Sequence, residues 1–395
     1  MLNPKTNQRE LAYVVEIDEI IPIEGADRVE TALVGGWRVM VKKDQFKKGD
    51  LAIYFEIDSK VPETEPFLFL APKNFKIKTQ KYFKGKVISQ GLLMAPADFG
   101  WKPDTFKVGD FVTEKLKITY AEVEDNKRKA NSADKYKLMA QRNGKLFAKQ
   151  PFRWLMKRNW GKKLLFIFFG KKKDKKNGWP VWVSKTDEER CQNMPWLFPG
   201  NPDEKWVVTE KIDGTSTTFT MKGFGRKRQF FICSRNVVFD KPDKKCYYET
   251  NVYTEMAQKY NIEEVLSSIL ESNKNILDFV TIQGETYGAS IQKREYGLKE
   301  HNFMAFNLIF GYKDGTKERF NPMEMTNILK EFNIPCVPIV DENFVIPKTC
   351  DELLEFAGGS SEIDGGMREG VVLRSQDGAR SFKAVDNNFL LKYHG

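Results

Sequence analysis

The segregation of positive charge into one middle segment constrains the fold more than any other feature of the chain. The 395 residues carry a net charge of +10. Residues 121–178 hold 18 Lys and Arg against 5 Asp and Glu, whereas residues 1–120 hold 19 against 17 and residues 179–395 hold 27 against 32. Runs of like charge are typical of linkers and solvated surfaces. We therefore predict two folded parts joined by a basic connector.

Composition excludes several classes of protein. No apolar run approaches the ~18 residues that span a bilayer, and the N-terminus lacks the apolar core of a signal peptide. The five cysteines are scattered without a Cys-x-x-Cys pair, which favours the cytoplasm or another reducing intracellular compartment over secretion. The two histidines are too few for most zinc-hydrolase, Ser-His-Asp or Cys-His chemistry. We expect a monomer without membrane association whose chemistry uses Lys, Arg, Asp and Glu.

The first part, residues 1–118, is predicted to be a small OB-like β-barrel. Short alternating segments separated by glycine turns favour a barrel over a sandwich. The predicted strands are residues 13–17, 31–34, 37–41, 51–56, 76–80 and 87–94. Residues 76–86 interleave cations with aromatic side chains, which is typical of a surface that follows a nucleic-acid backbone but equally of a solvated edge strand. The candidate nucleic-acid contacts there are Lys76, Lys78 and Lys81.

A Lys-rich linker is predicted at residues 119–150 and a second folded part at residues 151–395. Apolar strands alternate there with helical segments at residues 253–271 and 322–332, and Asn321-Pro322 suits the start of the latter helix. Strands joined both by hairpins and by helices indicate an α+β class with mixed or antiparallel sheets.

A set of charged and glycine motifs follows successive strands of this second part. Glu210-Lys211-Ile212-Asp213-Gly214 comes directly after an apolar strand, where glycine lets a ligand approach the backbone closely. The later motifs, in order, are Ser234-Arg235-Asn236, Gly284-Glu285, the strand around Phe306, Glu369-Gly370-Val371-Val372 and Phe382-Lys383. Singly, each has an ordinary structural explanation, such as a charged turn, a core aromatic residue or an edge strand.

In this order the motifs resemble those of the covalent nucleotidyltransferase superfamily, which comprises ATP-dependent RNA ligases, DNA ligases and mRNA capping enzymes. The resemblance implies that Lys211 is the nucleophile, with Lys383 and Glu369 as its catalytic partners. A lysine attacks phosphorus only as the neutral amine, so Lys383 is expected both to lower the pKa of Lys211 and to clamp the α-phosphate. The resemblance further implies Mg²⁺ or Mn²⁺ held by Glu369 and Glu285, because the developing phosphoryl charge needs a cation.

The same resemblance implies an ATP site that extends along the cleft. Phe306 would stack on adenine, Glu210 would read its amino group, and Arg235 would contact the ribose or an RNA 5′-phosphate. The full set of expected ATP-binding residues is Glu210, Ile212, Asp213, Gly214, Arg235, Glu285, Phe306, Lys383 and Arg190.

Four further segments resemble the fifth RNA ligase family, which has an N-terminal OB module and seals 3′-OH/5′-phosphate ends and nicks. They are ADRVE at residues 26–30, GWRVMVKK at residues 36–43, KGDLAIYFEID at residues 48–58 and ISQGLL at residues 88–93. Residues 183–193 also resemble that family's lead-in to the nucleophile, although Thr186 to Glu189 could instead cap a helix. The resemblance implies an ATP-dependent RNA ligase that works through a lysyl-AMP and an RNA-adenylate on RNA or a nicked RNA/DNA duplex. Lys171 and Lys172 would add RNA contacts.

Two positions depart from the superfamily pattern. Asn307 stands where many ligases have Asp, and Val385 stands where a second lysine is expected after Lys383. Arg380 or Lys392 could supply the missing charge. The departures leave open a catalytically weak or inert ligase-like RNA-binding protein. A DNA ligase or a capping guanylyltransferase is a further alternative.

Overall fold

The fold consists of two sheet-rich parts connected by the basic segment. The computed structural model describes residues 1–3, 6, 8–102, 105–121, 149, 152–156, 158, 160–162, 164–165, 179–239 and 250–393. The first part is built from short strands around two small cores, and the second combines two larger sheets with helices. The predicted α+β class with an N-terminal OB-like barrel is confirmed.

Ten short strands form the N-terminal barrel. They are β1 (Ala12–Glu16), β2 (Glu19–Pro22), β3 (Val29–Val34), β4 (Trp37–Lys42), β5 (Leu51–Phe55), β6 (Ser59–Lys60), β7 (Gln80–Tyr82), β8 (Val87–Ser89), β9 (Leu92–Met94) and β10 (Thr119–Tyr120). In β4, Trp37, Val39 and Val41 are buried while Arg38 and Lys42 are exposed. This two-residue period lets one face of the strand pack into the core.

Two of the predicted barrel strands are wrong in their bounds. Residues 76–79 are not in a strand, and the hairpin strand begins at Gln80. The apolar run at residues 87–94 is two strands, because the chain turns at Gly91, whose φ is 111°. A Cβ at this position would lie 2.5 Å from the Tyr54 ring, so only glycine fits.

The second part contains eleven strands and a set of short helices within the described residues. The strands are β11 (Glu189–Arg190), β12 (Trp206–Lys211), β13 (Thr215–Lys222), β14 (Gln229–Ser234), β15 (Val238–Phe239), β16 (Leu277–Gly288), β17 (His301–Tyr312), β18 (Lys317–Arg319), β19 (Ile339–Phe344), β20 (Gly370–Ser375) and β21 (Ser381–Val385). The helices are α1 (Phe152–Met156), α2 (Val252–Lys259), α3 (Ile262–Ser272), α4 (Pro322–Lys330), α5 (Cys350–Ala357) and α6 (Asn387–Tyr393).

Two sheets organise this part. One has the strand order β11-β21-β20-β12-β19, with β11 parallel to β21 and the other pairs antiparallel. The other is fully antiparallel, in the order β15-β14-β13-β16-β17-β18. Apolar side chains of α3 recur at helical spacing and pack on this second sheet.

The predicted helices are partly right. The expected single helix at residues 253–271 is broken into α2 and α3 at Asn261, which has a φ of 48°. Asn321 caps α4 as predicted, since its Oδ1 accepts hydrogen bonds from the backbone N–H groups of Met323 (2.9 Å) and Glu324 (3.0 Å). No helix begins at residues 186–189, where the chain is extended and leads into β11.

The barrel packs directly on the second part. Ile88 of β8 forms an apolar cluster with Val385 and Leu390. The Nζ of Lys81 donates a hydrogen bond to the backbone oxygen of Leu391 in α6, and the Leu2 N–H donates to the Asn193 oxygen at 3.0 Å. Within the described part of the chain, no helix is long and apolar enough to cross a bilayer.

Candidate active site

Lys211 ends β12 at the mouth of a cleft between the two sheets of the second part. The backbone of Lys211 pairs with Gly370 at the start of β20. The chain then turns through residues 212–214 into β13 of the other sheet. A reactive side chain at a strand end next to a turn is exposed to a ligand while its backbone stays fixed in the sheet.

Close packing fixes the turn after Lys211. A Cβ on Gly214 would lie 2.4 Å from the Thr286 backbone oxygen and 2.8 Å from the Glu285 Cγ. Because the nearest obstacle is backbone, no side chain can be accommodated without moving β16. Glycine at this position therefore brings the nucleophile turn against the strand that carries Glu285.

Glu369 holds Lys211 in its charged form. The Nζ of Lys211 donates a hydrogen bond to Glu369 Oε2 at 2.7 Å, and the two side chains are 25% and 8% exposed. Burial alone would lower the pKa of Lys211, but the charges of Glu369 and Glu285 outweigh it and the pKa is raised. The expectation that neighbouring cations lower this pKa is wrong for the structure as it stands, because carboxylates dominate the surroundings of the amine.

Glu285 and Lys383 are the groups whose pKa values are shifted toward neutrality. Burial raises the pKa of Glu285 to about 8, which the charge of Lys211 only partly offsets. Burial, with Arg190 and Lys211 as neighbouring charges, lowers the pKa of Lys383 to about 8. The pKa that neighbouring cations lower is therefore that of Lys383, and not that of Lys211. The cleft contains two groups that change charge near pH 8, which is typical of catalytic sites.

Glu369 and Glu285 together fit a divalent cation that also binds substrate. Both carboxylates act on the same lysine amine. Among the described residues, no group of three or more His, Cys, Asp or Glu could hold a metal. Mg²⁺ and similar ions are typically held by one or two carboxylates, with water and substrate phosphates completing the shell. The donor set matches this shared mode of binding.

The cleft has both apolar and charged lining residues, in a volume of about 320 Å³. Ile212, Phe306, Val337 and Val372 contribute apolar lining, while the polar lining includes Lys211, Glu285, Arg235, Lys383 and Arg374. Aromatic and aliphatic side chains can hold a flat ring system by stacking and apolar contact. Cations and carboxylates suit phosphates and a metal. The cleft has the chemistry of a nucleotide site.

Comparison with known proteins agrees with this geometry. An RNA ligase family model matches residues 204–394, and an OB-fold domain model matches residues 11–96. The solved structure of Naegleria gruberi RNA ligase with PPi is 27% identical over 98% of this chain and 99% of that chain, with a TM-score of 0.64. Residues 204–394, which include Lys211, belong to the RNA ligase family.

Other structures of the Naegleria gruberi RNA ligase are similar to this chain to the same degree. A Naegleria gruberi RNA ligase mutant with ATP and Mn is 27% identical over 98% of this chain and 100% of that chain, with a TM-score of 0.65. A mutant with AMP and Mn has the same identity and TM-score, and 99% of that chain is covered. No match is found among curated proteins. The similarity spans both the barrel and the part that contains Lys211.

Glu210 lines the cleft of the ligase but is already engaged by a neighbouring loop. It is 1% exposed. One oxygen accepts the Ser361 hydroxyl at 2.6 Å and the other accepts the Glu362 N–H at 2.8 Å. Reading of an adenine amino group by Glu210 stays a prediction, and it would use the remaining lone pairs of these oxygens.

The expected ATP-site arginines occupy different surroundings. Arg235 lies at the cleft mouth in an exposed ion pair with Asp187, with a distance of 2.8 Å from Nη2 to Oδ1. Arg190 pairs by its backbone with Lys383, and its guanidinium lies 5.8 Å from the Trp37 ring centre of the barrel. Its Nη1 is buried without a hydrogen-bond partner among the described residues. Arg190 therefore lies behind the cleft wall rather than in it.

The two departures from the superfamily pattern have local explanations. The Asn307 side chain is buried and donates to Gln283 Oε1 at 2.8 Å, so it joins two strands instead of facing the nucleotide cleft. Val385 is 3% exposed, in the apolar cluster shared with the barrel. Neither position carries a charge in the cleft.

Arg380 and Lys392, the two residues considered as substitute cations, do not line the cleft. Arg380 bonds Glu204 and lies 5.0 Å from the Trp206 ring centre, and Lys392 lies over Tyr393 at 5.0 Å. Arg374 does line the cleft, although it was not predicted from the sequence. The alternation of β20 could have indicated it, since Val372 and Arg374 lie on the same face of the strand.

Arg374 is buried at the side of Phe306. Its Nη1 donates to the Phe306 backbone oxygen at 3.0 Å, and its Nη2 lies 3.7 Å from Glu188 Oε1. Its Nε is buried without a hydrogen-bond partner in the part of the chain described. Burial lowers the pKa of Arg374 to about 10, so it remains a cation at neutral pH.

The predicted nucleic-acid contacts are only partly accessible. Lys78 is exposed and Lys76 is half-buried. Lys81 instead joins the barrel to α6 through its bond to Leu391. Lys171 and Lys172 lie outside the described residues. An RNA role for these lysines stays a prediction, and Lys81 has a clear interdomain contact in addition.

Proposed function

We propose that this protein is an ATP-dependent RNA ligase that joins an RNA 3′-OH to a 5′-phosphate through an adenylate on Lys211. The proposal rests on the position of Lys211. Its amine lies in a cleft with the chemistry of a nucleotide site and donates a hydrogen bond to Glu369 at 2.7 Å, and the surrounding residues match the RNA ligase family. The relative's structures with ATP, AMP and Mn support ATP and a divalent metal as its cofactors.

In the first step Lys211 Nζ attacks the α-phosphorus of ATP. A bond from nitrogen to phosphorus forms, and the bond to the pyrophosphate oxygen breaks. The ammonium proton must leave first, and we assign its removal to Glu369, which would pass it on to water and be ionised again when it holds a metal. A metal held by Glu369 and Glu285 would neutralise the phosphoryl charge. We assign Lys383, on the strand beside Val372, to the α-phosphate.

The next two steps reuse the same cleft. AMP passes from Lys211 to the RNA 5′-phosphate, and the 3′-OH then attacks that phosphate and releases AMP. Each step is an in-line displacement at phosphorus, so one set of cations can serve all three. Arg235 at the exposed mouth is the residue we assign to the incoming RNA end.

Adenylylation is the most direct test of the function. Incubation with α-labelled ATP and Mg²⁺ or Mn²⁺ should label the protein, and Lys211→Ala should abolish the label. Label that persists in Lys211→Ala would overturn the assignment of Lys211 as nucleophile, whereas no label at all alongside tight, salt-sensitive RNA binding would favour an inert RNA-binding protein. Preference for labelled GTP would indicate a guanylyltransferase. Sealing of a DNA nick without any ribonucleotide requirement would indicate a DNA ligase.

The remaining assignments are proposals about setting and substrate. We propose a monomer with a barrel at residues 1–118, a linker at 119–150 and a ligase domain at 151–395 that acts on a nicked duplex. Separate apolar cores on either side of the basic segment support the division. Cys191 and Cys350 are free thiols 3.7 Å apart, which suits a reducing intracellular compartment. Gel filtration and a nick with ribonucleotides only on its 3′-OH side test the state and the substrate.

A further inference from the structure

A strained loop between β16 and β17 lies against the turn that follows Lys211. Three of its non-glycine residues have positive φ angles: Ser290 (58°), Gln292 (59°) and Tyr296 (53°). Such conformations are unfavourable for residues with a side chain and persist only where other contacts hold them. The contacts of this loop should therefore explain why its strain is retained.

Two side chains of the loop form hydrogen bonds with the backbone of the turn that follows Lys211, residues 212–214. The Tyr296 hydroxyl accepts the Asp213 N–H at 2.7 Å, and Gln292 Nε2 donates to the Gly214 oxygen at 3.1 Å. Asp213 and Tyr296 are 4% and 3% exposed. Water is thus excluded from the Asp213 N–H, and Tyr296 is its partner in the described structure.

A third side chain ties the same loop to the segment that holds Glu210. Arg294 makes two bonds to Asp364, at 2.7 and 2.6 Å, and its guanidinium lies 4.3 Å from the Tyr296 ring centre. Asp364 is close in sequence to Ser361, which bonds Glu210. The loop is therefore bonded directly to the residues after Lys211, and it is linked to the residue before Lys211 only through the segment that contains Ser361 and Asp364.

Tyr296 does not line the cleft. Burial raises its pKa, so the hydroxyl keeps its proton and remains a neutral partner for the backbone. The gain from its bond is geometric: the turn that carries Lys211 is fixed on one side by Gly214 against β16 and on the other by Tyr296. Displacing a nucleophile by about 1 Å can cost about 100-fold in rate.

We propose that Tyr296 is a positioning residue for Lys211, which sets the direction of the lysine amine through the Asp213 N–H without touching ATP. The inference rests on the proposed ligase function. A positioning role for Tyr296 should affect the three steps of the reaction differently, because Lys211 forms a bond in the first step and breaks it in the second. The final sealing step forms no bond to Lys211.

Tyr296→Phe is the test, because it removes one oxygen and leaves the ring in place. Lys211 adenylylation should slow by about 10- to 100-fold in kcat, with the KM for ATP changed less than about threefold. Sealing of a nicked duplex that already carries a chemically adenylated 5′-end should keep its normal rate. Tyr287→Phe is the matched control: this ring lies 5.3 Å from Tyr296, is also 3% exposed, and its hydroxyl has no hydrogen bond in the described structure. It should leave both rates unchanged.

The outcomes are distinguishable from failure of the function itself. If the wild-type protein forms no adenylate, the ligase proposal fails. If the wild type is active and Tyr296→Phe adenylylates normally, or loses sealing of the preadenylated strand equally, the positioning role is overturned. Should Tyr296→Phe not fold, Gln292→Ala repeats the test at an exposed residue that also lines the cleft: slower adenylylation with an unchanged KM for ATP and normal sealing supports the inference, and an unchanged adenylylation rate overturns it.

Discussion

Replacing Glu369 with Gln tests how strongly this carboxylate holds Lys211 in its charged form. The distance from Nζ to Oε2 is 2.7 Å. At that separation the attraction between unit charges is roughly 1.5 kcal/mol in water and roughly 6 kcal/mol at an effective dielectric of 20. Because the Lys211 side chain is 25% exposed, solvent screening favours the lower figure. Glutamine keeps the shape and a hydrogen-bond acceptor but removes this attraction.

The expected effect is a larger fraction of neutral amine at a given pH. Glu369 raises the pKa of Lys211, so its removal lowers that pKa, and roughly 1.5 kcal/mol corresponds to about tenfold more neutral amine below the pKa. Competitive acetylation followed by mass spectrometry measures this directly, because only the neutral amine reacts. At pH 8 to 9, Lys211 should be acetylated about tenfold faster in Glu369→Gln than in the wild type.

Lys222 provides an internal control for this assay. It pairs with Asp278 at 2.7 Å on the surface, away from the cleft, and its acetylation rate should be equal in both proteins. An unchanged rate for Lys211 would refute the argument that Glu369 sets its charge. The pair also affects stability: the raised pKa of Lys211 stabilises the fold below the ordinary lysine pKa, and this contribution is lost as pH rises through the raised value. Glu369→Gln should therefore be less stable at neutral pH and approach the wild type at strongly alkaline pH.

Three other substitutions test the cleft. Burial raises the pKa of Glu285 from 4.5 to about 8, so the stability of the wild type should fall as pH rises between these values. Denaturant titration should therefore find Glu285→Gln more stable than the wild type by about 1–3 kcal/mol at pH 8, and nearly equal to it at pH 4.5. Gly214→Ala places a Cβ 2.4 Å from the Thr286 oxygen and should slow adenylylation by about tenfold or more in a gel-labelling assay. Arg374→Ala should raise the KM for ATP by about tenfold, while Arg380→Ala, whose arginine bonds Glu204 outside the cleft, should change it less than about threefold; equal effects would contradict the assignment of Arg374 to the cleft.

Charged residues in or next to apolar strands could be predicted from the sequence, whereas side-chain directions could not. Lys211, Glu285 and Lys383 could be predicted because each lies in or directly after an apolar strand, and the structure brings all three to one cleft. Arg374 was missed because its place depends on which face of β20 meets the cleft. Arg380 was wrongly considered because the turn before β21 points it toward Trp206.

The contribution of Tyr296 was also not predictable from the sequence. Its partner Asp213 is 83 positions away, and the loop that carries it has an irregular backbone that no periodic pattern describes. The raised pKa of Lys211 could not be predicted from the sequence either. Lys383 was identified, but the net shift depends on distances to Glu369 and Glu285 that only the folded sheets determine.

Val385 links the missing lysine to the way the barrel is attached. At the position where the superfamily pattern has a cation, Val385 packs against Ile88 of the barrel, and an ammonium group there would lose its hydration without gaining a partner. The barrel is also bonded to α6 through Lys81 and Leu391. This contact therefore fixes β8 against the end of β21, the strand that carries Lys383. A cation at Val385 would therefore be incompatible with it. Arg374, by contrast, is a cation that lines the cleft with a buried, unpaired Nε among the described residues, and its position does not involve this contact with the barrel.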